Sequence, residues 1–254
     1  MSALERCGYH LSCWLSTPRA WHRVDGPGGR EALACLRVGD VLLVEGSSRL
    51  STVIKYLTQS CWSHAALFVG PDAAQRAGGP PGSAFIEADL VDGVRLVGPG
   101  EFADYPLRVC RPVGLTDDAI ERLVTHLLRR VGHRYDLRNI LDLARYLLPL
   151  PPVPARFRRD MLSLGSGDPT RAICSTLIAE AFQAIRYPIL PILEPGPQGA
   201  GAESTVYRRR HPTLFTPRDF DLSPYFQIVK PTLTTGFDPC RLKWQTPAED
   251  AISG

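Results

Sequence analysis

A thiol at the head of a helix and an imidazole in a distant strand are the pair with which this chain could do covalent chemistry. Cys174 lies in Arg171-Ala172-Ile173-Cys174-Ser175-Thr176-Leu177-Ile178. That stretch predicts a loop running into a buried helix, with the thiol in its first turn. The unpaired N–H groups of a helix start carry a partial positive charge, which eases ionisation of a thiol and makes it a better nucleophile. Leu177, Ile178, Ala181, Phe182 and Ile185 form the apolar stripe of this helix, whereas small or polar residues flank Cys174. His64 interrupts the apolar run Ser63-His64-Ala65-Ala66-Leu67-Phe68-Val69. In strand alternation it shares a face with Ala66 and Phe68. Both residues have an ordinary reading as well: free cysteine usually packs, and a strand histidine often just bonds a carbonyl. As a pair they would form a thiolate and an imidazolium, with His64 later returning its proton to a leaving group.

A carboxylate that orients the imidazole is available in Phe85-Ile86-Glu87-Ala88-Asp89, where Glu87 and Asp89 share one strand face. Spacing alone does not choose between them, and a solvated strand face is the commoner fate of acidic residues. Gly132-His133-Arg134-Tyr135-Asp136 is a polar cluster at a helix–loop junction. There Tyr135 could reach a reacting carbonyl. The plainer reading is a helix stop followed by Asp136 as the next N-cap. His126 reads as solvated on its helix, while His10, His22 and His211 fall in extensions or loops. Gly165-Ser166-Gly167 lacks the Lys-Ser or Lys-Thr ending of a phosphate loop, so nucleotide binding is rejected.

The 254 residues are 44% hydrophobic, which suits one domain with extensions. A formal net charge of +3 is too small to argue for nucleic acid. The seven cysteines are scattered and contain no CxxC pair, so neither a disulfide framework nor a structural zinc site is expected. Cys7, Cys13, Cys35, Cys61, Cys110 and Cys240 are assigned to packing or surface. No cofactor or metal is implied. Met1 to Trp14 is broken by Glu5, Arg6 and His10, and no signal peptide or membrane span is read, so the expected location is the cytoplasm.

The elements that must position these side chains can be read from periodicity and punctuation. Residues 1–35 read as an extension packed on the core, 36–232 as the main domain and 233–254 as a loose tail. Arg37–Gly46 reads as a turn into a buried strand, and Ser47 or Ser48 caps a helix through Thr58. Trp62–Gly70 is the next strand, and 71–83 reads as a Pro/Gly/Ala loop. Ala84–Ala88 and Val94–Val97 form a hairpin turning at Asp92-Gly93. Leu107–Arg111 is a strand. Thr116 caps a helix whose face is Ile120, Leu123, Val124, Leu127, Leu128 and Val131. Residues 191–206 read as flexible, and Tyr225–Lys230 as a late strand closing the sheet. Leu137–Leu148 is an apolar helical run followed by the basic residues Arg156, Arg158 and Arg159. It reads as core beside solvated surface, with peripheral contact to an anionic membrane or lipid as the alternative.

The set Asp40–Val44, Trp62–Gly70 with His64, Ile86-Glu87-Ala88, Gly132–Asp136 and Ile173–Ile178 with Cys174 resembles the permuted papain-like hydrolases of the YiiX/YaeF type. These are relatives of the NlpC-type peptidases. The resemblance covers roughly residues 36–232. It implies an α+β permuted papain-like fold, with an antiparallel curled sheet packed against the helix that carries the nucleophile. It also implies Cys174 as nucleophile, His64 as base, Glu87 rather than Asp89 as the orienting acid, and Tyr135 near the site. The activity implied is amide hydrolysis on a small amide or peptide, or on a lipid-derived substrate through the same triad. A non-catalytic binding module on the same fold is the remaining alternative. Many relatives carry export signals, and none is seen here; oligomeric state is not specified.

Overall fold

The structure is a computed structural model that describes residues 9–10, 13–17, 29–133, 173–195, 205–234 and 236–241. α1 (Gly29–Ala34) packs against the sheet through Ala32. β1 (Val41–Val44) follows, with all four side chains buried. A short unbroken apolar run of this kind suits a central strand covered on both faces.

α2 (Arg49–Thr58) starts at Ser48, whose hydroxyl accepts the Ser51 N–H at 3.1 Å. β2 (His64–Phe68) comes next, then α3 (Pro71–Arg76), β3 (Phe85–Asp89), β4 (Gly93–Val97) and β5 (Leu107–Pro112). α4 (Asp117–Leu128) begins at Thr116, whose hydroxyl accepts the Ala119 N–H, and its first turn holds Asp117 and Asp118. α5 (Ile173–Ala184) carries Cys174 as its second residue. β6 (Ile192–Pro195), β7 (Thr205–Arg208), α6 (Pro217–Leu222), β8 (Phe226–Val229) and α7 (Pro231–Thr234) complete the order.

The main sheet runs β4-β3-β2-β1-β5-β8, with every neighbouring pair antiparallel. Strand alternation divides its side chains between two cores. Val41, Leu43, Ala65, Leu67, Ile86 and Cys110 face the layer of α4 and α5, where they meet Leu123, Leu127, Ile178 and Phe182. Leu42, Val44, Ala66, Phe85 and Val109 face the other way, toward Phe102 and Ala32. α5 therefore lies across β2 and β3, the two strands that carry His64 and Glu87.

Three expectations need correction. Residues 71–83 are not all loop: Pro71–Arg76 is a helix, with Pro at its first position, Asp72 in the first turn, Arg76 in the last and Ala74 buried beneath. Proline is compatible with a first turn, so the Pro and Gly punctuation concealed a short helix. Within 191–206, β6 and β7 pair as a second, two-stranded sheet in register Leu193↔Tyr207. The prolines and glycines of that segment outweighed its strand residues in the reading. His126 is half-buried, and its Nε2 is enclosed with no hydrogen-bond partner among the described residues. Its pKa is lowered by burial and by Arg130 on the same helix. It is not a freely solvated side chain.

At the other boundaries, α7 runs across residue 232, and a 3-10 turn forms at Pro239–Arg241. Among the described residues no helix is long and apolar enough to cross a membrane.

Candidate active site

His64 is the first residue of β2, opposite Val44 of β1. Its ring stacks over Phe102 with centroids 6.5 Å apart and planes 28° from parallel. Phe102 is itself buried in the core on that face. The β2–β3 ladder pairs Ala66 with Glu87, so His64 and Glu87 occupy the same face, one step diagonally apart. The consequence is a 2.7 Å contact between His64 Nε2 and Glu87 Oε2. Asp89, two residues on, is used elsewhere: its Oδ1 accepts the Val91 and Asp92 N–H groups and shapes the β3–β4 turn. Of the two carboxylates it is therefore Glu87 that contacts the imidazole.

Glu87 is buried, and its charge has a second partner. Arg95 stands directly across from it on β4 and donates Nε–H to Oε1 at 2.9 Å. The same guanidinium reaches Asp92 and Glu101 at 3.1 Å each. Burial alone would raise the Glu87 pKa, but His64 and Arg95 together hold it below the ordinary value. The carboxylate is thus ionised and acts only as an acceptor, which makes His64 Nε2–H the donor and leaves the other ring nitrogen for Cys174.

Cys174 approaches from the opposite face, at the start of α5, and is buried beside the end of β2. Its sulfur lies within interaction range of the His64 ring and of the backbone N–H groups of Ala65 and Ser175. Registered pairing of β2 with β3 begins at Ala66, one residue past Ala65, so the thiol meets the sheet where that ladder ends. The adjacent Ser175 is fully buried and donates its hydroxyl to the Phe215 carbonyl at 2.9 Å, pinning the first turn of the helix. Burial opposes ionisation of Cys174, yet the His64 charge, its hydrogen bond and the two N–H groups bring the thiol pKa down. Burial likewise opposes a charged His64, but the Cys174 thiolate and Glu87 raise its pKa well above 6.5. The two shifts are coupled, each group favouring the charged form of the other.

Cys110 is the internal contrast. It too is buried, but it faces apolar neighbours, and burial pushes its thiol far up. Burial by itself therefore makes a cysteine inert, and the difference at Cys174 is His64 with the two N–H groups.

Of the residues singled out in the sequence, the structure brings together Cys174, His64 and Glu87. His133 is exposed, and its carbonyl accepts the Val94 N–H. Tyr135 lies outside the described residues, as do the 137–148 run and Arg156, Arg158 and Arg159. Arg95, Phe102 and the Ala65 N–H were not anticipated. Arg95 had a usable signal, an opposite charge across a hairpin; Phe102 and a backbone N–H had none. Among the described residues no three His, Cys, Asp or Glu side chains gather to hold a metal ion.

No protein-family model matches the chain. No curated protein matches it either. Among solved structures it is similar to the crystal structure of metalloprotein yiiX from Escherichia coli O157:H7, at a TM-score of 0.46 and 17% identity, covering 76% of this chain and 96% of that one.

Proposed function

We propose that the protein is a cysteine hydrolase of the permuted papain-like kind that cleaves amide bonds. The observation that carries this reading is the Cys174–His64–Glu87 line, in which a buried thiol has its pKa lowered by an imidazole that a buried carboxylate orients. In the proposed reaction the Cys174 thiolate attacks the amide carbon, and the carbonyl electron pair moves to oxygen. The backbone N–H of Cys174 at the helix start serves the oxyanion, with Tyr135 as the side chain expected to assist. Collapse breaks the C–N bond as the His64 ring nitrogen facing the sulfur gives its proton to the departing amine. A water molecule, losing a proton to the same nitrogen, then attacks the thioester and releases the carboxylic acid, and the proton returns to the thiol.

Glu87 takes no proton in this scheme. It holds the ring orientation and stabilises the imidazolium. Small amides and short peptides are the proposed substrates.

The test is turnover of a panel of small amides and peptides by the wild type, Cys174→Ala and His64→Ala, with near-ultraviolet circular dichroism as the check on folding. Each variant should lose activity by at least about 10³-fold. Undiminished activity in Cys174→Ala would end this reading.

A further inference from the structure

At the far end of α5 from the thiol, a cleft of about 190 Å³ opens between the helix C-terminus and β7. Gln183, on its wall, stands about 14 Å along the helix axis from Cys174 at 1.5 Å per residue, so the cleft is separate from the candidate active site. Arg186, Arg208, Arg209 and Arg210 line it, and among the described residues no carboxylate does. On a chain whose net charge is only +3, this is a strong local excess.

The arginines are not equivalent. Arg210 is committed to the fold: it lies 4.9 Å over the Phe215 ring, donates to the Leu214 carbonyl at 3.3 Å and stands 3.6 Å from Asp219. Arg186 and Arg209 are exposed, and among the described residues neither is ion-paired.

Arg186 also has an unusual backbone. Its φ is 61°, in the left-handed region. It occupies the position just past α5 where the Tyr187 N–H closes onto the Phe182 carbonyl at 2.8 Å. Glycine is the ordinary residue at such a helix stop, and a side chain there carries a conformational cost. A strained residue that presents a cation to a cleft points to use of that cation. The C-terminal carbonyls of α5 act against an anion with only about half a unit charge, far less than the arginines supply.

Apart from Gln183, whose amide donates to the Arg210 carbonyl at 2.7 Å, the rest of the lining is mostly apolar and aromatic. Leu190 and Tyr207 form its walls, and Tyr207 pairs across the β6–β7 sheet with Leu193. Tyr207 and Leu193 are 60% and 61% exposed, a large apolar pair standing in solvent beside the arginines.

We propose that this cleft binds a phosphate-bearing amphiphile, its phosphate between Arg186 and Arg209 and its apolar part against Leu190 and Tyr207. Forked guanidinium groups match phosphate oxygens in pairs. The proposal does not depend on the chemistry of Cys174.

The experiment uses the full chain and two probes: inorganic pyrophosphate by calorimetry, and flotation with phosphatidylglycerol vesicles against phosphatidylcholine vesicles. The variant is Arg186→Gly with Arg209→Gln. Glycine relieves the left-handed position, so the thermal midpoint should hold or rise while binding weakens by about tenfold or more. Pyrophosphate binding that the variant loses identifies a free phosphate compound as the ligand. Loss confined to phosphatidylglycerol vesicles identifies a lipid headgroup. Wild-type protein that binds neither probe, or a variant that binds as tightly as wild type, overturns the proposal.

Discussion

His64 Nε2 and Glu87 Oε2 stand 2.7 Å apart, and because Glu87 is buried and ionised, the contact fixes which ring nitrogen faces the sulfur of Cys174. Glu87→Gln keeps the shape but offers an amide that can also donate, so the wrong tautomer of His64 becomes accessible. Turnover should fall by about 10²–10⁴-fold. Asp89→Asn loosens the hairpin turn and removes a charge that acts on Arg95 without touching His64, so turnover should stay near wild type, with a stability loss of about 1 kcal/mol. Steady-state kinetics on both variants checks the assignment; an equal loss in Asp89→Asn would return the question to both carboxylates.

Alkylation should separate Cys174 from Cys110, two buried thiols whose pKa values move in opposite directions. Iodoacetamide at neutral pH, followed by peptide mapping, should modify Cys174 first. In wild type, its rate should rise with pH through a midpoint below 9.0. In His64→Ala the charge and hydrogen bond that lower it are gone, so the midpoint should move up. An unchanged midpoint would mean that the imidazole does not activate the thiol.

The same lowering bears on how much of this site could be read from residue order. Cys174 was legible because it falls at the start of its helix among small or polar neighbours, ahead of the stripe of Leu177, Ile178, Ala181 and Phe182, with which the structure buries it. His64 was legible because it breaks an apolar strand, and its face was given by alternation. The β3–β4 hairpin was marked by Asp92-Gly93, and β8 by its apolar run. What periodicity could not supply was register. Glu87 and Asp89 share a face, and only the pairing Ala66↔Glu87 decides which one lies diagonal to His64. Arg95 was missed although Asp92-Gly93 marks the turn that sets its partner across the hairpin, because its charge was not read against that of Glu87. Segment 71–76 and the β6–β7 pair were missed because Pro and Gly dominate local composition even where they sit at element ends.

Arg95 should prove a positioning residue. It secures the Glu87 oxygen that His64 does not use, and it is joined to Asp92 and Glu101 on the solvent side. Arg95→Ala leaves a buried carboxylate with one partner fewer, at a cost of about 1–3 kcal/mol. With less to hold it ionised, Glu87 should titrate higher, and the acid limb of the rate profile should shift to higher pH. Arg95→Lys keeps the charge without the fork and should restore the limb in part. A variant that loses stability but keeps the wild-type pH profile would reduce Arg95 to a structural role.

Acid should unfold the protein partly through Glu87. Its folded pKa lies below 4.5, so the carboxylate contributes stability that is fully present above that value. The contribution is lost as the pH falls through the lowered folded value. His64 has the opposite sign. Its folded pKa lies well above 6.5, so its contribution is complete below that value and is lost as the pH rises through the folded one. Urea unfolding from pH 3 to pH 6 should therefore show wild-type stability rising with pH more steeply than that of Glu87→Gln, which has no proton to lose at this position. Parallel curves for the two proteins would show that Glu87 binds protons alike in the folded and unfolded states. The ion pair with His64 and Arg95 would then be too weak to hold the imidazole against the thiol.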